Sequence, residues 1–314
     1  MRVLVSGGFG YLGGRLSQFL VSQSNYQITL GVRQQSVLPP WLPQADVVRI
    51  QWDLPDILQN ICAGIDAVVH MAGMNAQDCA ADPSAAFEVN AVATGRLVDA
   101  AIKGGVKRFI YLSTAHVYCS PLVGVITEEI CPITLHPYAT SHRAGEDLVR
   151  AAHQRGEIEG VVIRLSNSFG APAHKDANCW MLLVNDLCRQ AVTTQQLVLR
   201  TSGVQRRDFI PMSDVCRGIE HLLHLSGQDL GKGVFNMGGM WSPTIREMAC
   251  LIQKRCEVIL GFEPKIIRPS PQSDTITDEF CYRIDMLTNS GFEPQADRIE
   301  EIDSLLKYCE AEFA

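Results

Sequence analysis

The segment VLVSGGFGYLGGRL, residues 3–16, constrains the fold more than any other stretch of the chain. It passes from an apolar β-type run through Gly7, Gly10 and Gly13 into residues with helical spacing. Glycines at that interval permit a tight turn and a close backbone approach. A helix that opens there offers unpaired N–H groups and a partial positive charge to a pyrophosphate. The segment therefore predicts a strand, a phosphate-binding turn and a helix, with Gly7, Phe9, Gly10, Tyr11, Leu12 and Gly13 against a dinucleotide.

Short apolar runs recur downstream, ITLGV at 28, DAVVHMA at 66, RFIYLS at 108 and GVVIRLS at 160, and stretches with helical spacing separate them. Such alternation predicts an α/β fold with a Rossmann-type, doubly wound parallel sheet. After about residue 170 it gives way to Pro- and Gly-punctuated segments, GAPAHKDANCW, RTSGVQRRDFIP and FEPKIIRPSPQSD. The expected division is a dinucleotide-binding domain over 1–170, to which parts of 205–240 return, and a smaller substrate-binding lobe over 171–314.

Composition narrows the class of partner. A net charge of −7 with no dense Lys/Arg stretch argues against nucleic acid and against an anionic membrane surface. No apolar run reaches the length of a membrane span, and the glycines and Arg15 interrupt any signal-peptide core at the start. Eleven cysteines without a C-x-x-C pair fit reduced, mostly buried thiols, and so a cytoplasmic location. His221 and His224 sit three apart on an expected helix, but no third ligand accompanies them, so no metal is expected.

Further segments bear on the chemistry: WDL at 52, IDAVVHMAG at 65, VNAVATGRLVDAA at 89, FIYLSTAHVYC at 109, PYATSH at 137, RLSNSFG at 164, RRDFIPMSDV at 206 and FNMGG at 235. Together with the glycine turn they make the chain resemble the extended short-chain dehydrogenase/reductase superfamily, the epimerase/dehydratase enzymes of nucleotide sugars. The resemblance implies that Asp53 and Leu54 contact adenine, that Met71, Ala72 and Gly73 line the dinucleotide, and that Asn90 braces the sheet beside the active site. It places Leu165 and Ser166 near the nicotinamide carboxamide. Asn167, Arg207 and Arg268 would meet a nucleotide diphosphate, with Asn75, His116 and Cys119 toward the sugar. It also implies a homodimer, packed through helices at about 86–103 and 138–153.

By the same resemblance Thr114 and Tyr138 hold the positions of a carbonyl-orienting hydroxyl and a catalytic tyrosine. The chain departs from the pattern at the next position, where His142 replaces a lysine. His142 lies one helical turn beyond Tyr138 and can still hydrogen-bond the nicotinamide ribose, yet an imidazole of pKa near ~6.5 stabilises a phenolate less than a fixed ammonium. A tyrosine acting as an acid loses less by the change than one acting as a base. Arg143 lies about 100° further around the helix and does not take the lysine's place.

At the end of the second strand, TLGVRQQS puts Gly31 where a carboxylate would meet the ribose 2′-OH, with Arg33 two residues later. That favours NADP(H), with NAD(H) the alternative. Ala115 and His116 stand where 4,6-dehydratases carry an Asp-Glu pair, which argues against dehydration. The expectation is an NADP(H)-dependent reductase of a nucleotide-activated keto-sugar of the 4-keto-6-deoxy type. A nucleotide-sugar epimerase and a catalytically silent binding protein are the alternatives.

Overall fold

Strands buried on both faces need helices on each side, and the chain supplies them in alternation. The computed structural model describes residues 1–34, 37–270 and 279–314, so residues 271–274 of the expected loop-rich segment lie outside the described residues. The first half runs β1 (Arg2–Ser6), α1 (Tyr11–Ser22), β2 (Gln27–Val32), β3 (Asp46–Arg49), α2 (Pro55–Cys62), β4 (Ala67–His70), α3 (Ala76–Ala81), α4 (Pro83–Phe87), α5 (Ala93–Lys103) and β5 (Arg108–Thr114). Then follow β6 (Gly124–Ile126), α6 (Pro137–Gln154), β7 (Glu159–Leu165), β8 (Asn167–Phe169), α7 (Leu183–Thr194), β9 (Gln196–Val198), β10 (Phe209–Pro211) and α8 (Met212–His224). The chain closes with β11 (Val234–Met237), α9 (Ile245–Leu260), β12 (Lys265–Ile267), β13 (Phe280–Tyr282), α10 (Asp285–Asn289) and α11 (Arg298–Phe313).

Seven strands form one parallel sheet in the order β11-β7-β5-β4-β1-β2-β3. Its two edge strands, β3 and β11, are absent from the five apolar runs that the sequence advertises. β3 is only half-buried along DVVR, and β11 has only four residues and follows a short 3-10 turn. Strand order reverses between β1 and β4, which opens a crevice above their carboxyl ends, where open α/β sheets bind ligands.

Side-chain alternation decides the two layers. Val3 and Val5 of β1 face α1 and α8, joining Leu16, Leu20, Ile219 and Leu222. Leu4 faces the other way, toward Leu58 of α2, Leu97 and Val98 of α5 and Val149 of α6. A further core gathers α7, α9 and α11 around Leu187, Ile252 and Leu305. All eleven cysteines are free thiols. No helix among the described residues is long and apolar enough to cross a membrane.

The continuous helix expected over 86–103 is interrupted by a π-helical turn at Glu88–Val92. Asn90, at its centre, accounts for the break. Its side chain accepts from the Met74 N–H (2.8 Å) and donates to the Ser141 hydroxyl (3.0 Å), while its carbonyl receives the Thr94 and Tyr111 hydroxyls. Those four bonds pull one residue inward and widen the turn around it.

Helix α6 is fixed by a buried ion pair. Glu146 and Arg164, both almost wholly inaccessible, meet at 2.6 Å, and the remaining carboxylate oxygen accepts from the Ser113 hydroxyl at 2.5 Å. Removing one partner leaves a buried charge uncompensated. Arg164→Met should cost about 3–5 kcal/mol, whereas the double change Glu146→Leu with Arg164→Met should cost clearly less. Urea unfolding of the two variants checks this, and equal losses would show that shape rather than charge dominates the site.

Candidate active site

The glycine turn is built to admit a group that no side chain could share. Gly7 adopts φ +71°, and a Cβ there would lie 2.9 Å from the Ala72 nitrogen. A Cβ on Gly13 would collide with the Gly7 carbonyl. Gly10 opens α1 with no side-chain cap, so the first N–H groups of the helix stay available to an anion. The loop is also anchored from the far side of the chain. His174 donates to the Phe9 carbonyl (2.9 Å) and stacks on Trp41, whose indole meets the Phe9 ring edge-on. These features fit a dinucleotide pyrophosphate. Tyr11 faces such a group through its backbone alone, since its side chain is buried and its hydroxyl donates to the Gly170 carbonyl at 2.9 Å.

Several expected cofactor contacts are placed differently from the sequence reading. β2 runs on through Val32, so this valine, not Gly31, closes the strand. Gly31 lies within the strand, where a Cβ would meet the Ile50 side chain. Neither position carries a carboxylate. Arg33 is exposed, its guanidinium makes no hydrogen bond among the described residues, and its carbonyl accepts from Arg49 at 3.4 Å. Asp53 is exposed and tied to Arg96 at 2.7 Å, while Leu54 remains 44% exposed at the start of α2. Met71 and Ala72 donate their backbone N–H groups to the Ser6 hydroxyl, and Gly73 is open to solvent. Asn90 is consumed by protein partners, as described above. Leu165 ends β7 in the core.

Thr114 ends β5 and Tyr138 opens α6, and the two hydroxyls come within reach of one another. Burial raises the Tyr138 pKa, and the Thr114 hydroxyl opposes it only in part. The ring of His142 packs edge-on against Tyr138 at 4.6 Å. Its Nδ1 lies 2.9 Å from the Tyr111 hydroxyl, and burial pushes its pKa down to about 4. His142 is therefore neutral at pH 7. Arg143 turns away and donates to the Pro132 carbonyl. Among the described residues no positive charge acts to lower the Tyr138 pKa.

On the substrate side, Arg207 is exposed and its guanidinium makes no hydrogen bond among the described residues. His116 faces it. Burial lowers the His116 pKa, followed by the charges of Arg207 and His136. The Asn75 side chain caps α3 by accepting from Gln77 and Asp78, both at 3.0 Å. Asn167 donates to the Asp208 carbonyl (2.9 Å), and Ser166 to the Asp208 carboxylate (2.5 Å). Arg268 is bound to the Ser202 carbonyl at 2.8 Å. The paired histidines of α8 bond elsewhere, His221 to Ser290 and His224 to Tyr26.

Four residues that the sequence reading passed over organise the site: Tyr111, Glu146, His70 and Asp208. Glu146 repeats the spacing of Tyr138 and His142 along one face of α6, a readable signal. His70 and Tyr111 lie inside apolar strands and look like core. Asp208 is almost fully buried, and burial lifts its carboxyl to about 6 against bonds from Ser166, Gly239 and Trp241.

The two buried histidines link stability to pH. Burial holds His70 down to about 3, with His142 a lesser cause, and holds His142 down to about 4. Both rings titrate near ~6.5 in an unfolded chain. Stability that depends on neutral rings is complete above ~6.5 and is lost as the pH falls through the folded values. His142→Gln should therefore reduce the dependence of unfolding free energy on pH between about 4 and 6.5 by up to one proton. Urea unfolding across that range measures it. An unchanged slope would mean that His142 titrates normally in the folded protein.

Residues 3–238 match the model of the NAD dependent epimerase/dehydratase family. The chain is 29% identical to the dTDP-glucose 4,6-dehydratase of Streptomyces niveus, over 99% of this chain and 92% of that protein. Its fold superposes on epimerase Mth375 of Methanothermobacter thermautotrophicus with a TM-score of 0.82 at 22% identity, over 98% of this chain and 91% of the other. It also superposes on UDP-glucuronic acid 4-epimerase of Bacillus cereus in complex with NAD, with a TM-score of 0.78 at 22% identity, over 99% and 96% of the two chains. With the phosphate cradle, the parallel sheet and the match over most of its length, the chain belongs to the NAD dependent epimerase/dehydratase family, enzymes of the extended short-chain dehydrogenase/reductase type.

Proposed function

We propose that the protein is a reductase of a nucleotide-activated keto-sugar, of the 4-keto-6-deoxy type, that uses Tyr138 as proton donor. The observation that carries this reading is the neutrality of the groups around the phenol. Burial raises the Tyr138 pKa, and its neighbour His142, held down to about 4, brings no charge to offset this. Oxidation of an alcohol needs a phenolate first, whereas reduction of a ketone needs only a neutral phenol.

When bound, the dinucleotide supplies the hydride. The chain's own groups handle the oxygen: Thr114 donates to the carbonyl and orients it, and Tyr138 gives its proton to the developing alkoxide. The phenolate is then reprotonated from solvent. Arg207, without a hydrogen-bond partner among the described residues, is the group for the diphosphate, with His116 lining the sugar side. Ala115, buried behind Thr114, and His116 supply no carboxylate pair for eliminating water. Relatives named as dTDP-glucose 4,6-dehydratase and UDP-glucuronic acid decarboxylase support a nucleotide-sugar substrate.

The proposal includes a preference for NADP(H). No carboxylate closes β2, Arg33 follows Val32 directly, and Arg49 of the paired strand reaches the same end of the sheet. A guanidinium there can pair a 2′-phosphate. It also includes a homodimer through the face on which Phe87, Val92 and Leu148 remain exposed. Light scattering of the purified protein checks the dimer, and a monomeric mass would exclude it.

Incubation with NADPH and a panel of 4-keto-6-deoxy nucleotide sugars should oxidise the dinucleotide. Absence of oxidation across the panel, with dinucleotide binding intact, would exclude the reductase. Tyr138→Phe should lower the rate by about 10²–10⁴-fold. Arg33→Glu should lower the preference for NADPH over NADH by about tenfold or more, the loss of one charge-assisted bond. Tightly held NAD in the purified protein, with interconversion of two sugar epimers, would instead identify an epimerase.

A further inference from the structure

A chain of buried hydrogen bonds runs beneath the crevice from Ser6 to His142, and one carbonyl determines its direction. The Asn90 carbonyl oxygen can only accept. It lies 2.8 Å from the Thr94 hydroxyl and 3.1 Å from the Tyr111 hydroxyl. Each hydroxyl has a single proton, and both protons are used there. The Thr94 oxygen must then accept from His70 Nε2, at 3.0 Å, and the Tyr111 oxygen from His142 Nδ1, at 2.9 Å. His70, with its proton on Nε2, accepts at Nδ1 from the Ser6 hydroxyl at 2.5 Å, and Ser6 accepts from Met71 and Ala72. This assignment gives each proton one acceptor. The reverse assignment would set the Tyr111 and Asn90 oxygens 3.1 Å apart with no proton between them.

A neutral imidazole has one N–H, so His142 Nε2 keeps a lone pair. That nitrogen makes no hydrogen bond to any described residue, although the side chain is only 7% exposed. It faces Gly73, where a Cβ would lie 3.8 Å from Nε2 and 3.6 Å from Cε1. The missing side chain leaves the space open, directly after β4 and beside the point where strand order reverses.

We propose that Tyr111 is a positioning residue that fixes His142 as the Nδ1–H tautomer, so that position 142 offers a hydrogen-bond acceptor to a ribose hydroxyl of the bound dinucleotide. The inference rests on the dinucleotide site of the proposed function and not on the direction of its chemistry. A lysine ammonium has three donors and no acceptor. His142 is thus of opposite polarity to a lysine, and the ribose hydroxyl is the donor in the pair.

Full-length protein labelled with ¹⁵N at histidine tests this by NMR, with the His142 signals assigned by their loss in His142→Gln. At neutral pH the wild type should show a protonated Nδ1 and a bare Nε2, and the Nε2 signal should shift when NADPH binds. Tyr111→Phe should give a mixture of tautomers and weaken NADPH binding about three- to tenfold, the loss of one oriented hydrogen bond. Thr94→Val, which cuts the chain on the far side of Asn90, should leave the His142 tautomer unchanged. A proton on Nε2 in the wild type would overturn the proposal, and that spectrum decides even if Tyr111→Phe fails to fold. So would a pure Nδ1–H tautomer with unchanged NADPH affinity in Tyr111→Phe, or redistribution in Thr94→Val. None of these readouts depends on turnover, so a failed reductase assay leaves the test intact.

Discussion

The Glu146–Arg164 ion pair holds the chemistry in register. Neither side chain is solvated, so their mutual charge and the Ser113 bond are what make burying them tolerable. The consequence is geometric. Glu146 sits on α6, Arg164 on β7 and Ser113 on β5, so the helix cannot turn or slide without leaving a carboxylate bare. His142 and Tyr138 lie one and two turns back along the same face, and Thr114 is the residue after Ser113. The position of the phenol against the sheet is set by a charge that takes no part in any proton transfer.

Close approach completes the arrangement. A Cβ on Gly145 would lie 2.6 Å from both the Asn90 carbonyl and the Tyr111 hydroxyl. The glycine lets α6 lie directly over the π turn, where Asn90 gathers the hydroxyls of Thr94 and Tyr111. The two histidines of this network are kept neutral by burial. The candidate site is in this way surrounded by neutral dipoles, where a lysine would have imposed a fixed positive charge. In the proposed reaction, a phenol in such surroundings would release its proton to the stronger base that a developing alkoxide provides.

Much of this was legible in the residues themselves. The glycine turn of residues 7–13, the five apolar runs and the small-residue helices announce the parallel sheet, because periodicity and glycine conformational freedom act over a few neighbouring residues. Thr114 and Tyr138 stand out by the family resemblance, and His142 by its place one helical turn beyond Tyr138. β3 and β11 were not legible, since a half-buried edge strand and a short strand after a turn carry little periodic signal. The capping role of Asn75 was not read, because a helix as short as α3 carries little periodic signal. Tyr111 and His70 were hidden by apolar surroundings that make a polar ring look like filler.

The sequence alone determined that a dinucleotide cradle opens the chain, that a parallel sheet follows it, and that an imidazole replaces an amine beside the tyrosine. These are local facts of residue type and spacing. Only the tertiary structure decided what that imidazole presents. In the proposed network its tautomer depends on a carbonyl 52 residues away in the chain, Asn90, reached through a tyrosine on a third element. A hydrogen bond's direction is a property of the whole closed network, and no stretch of neighbouring residues contains it.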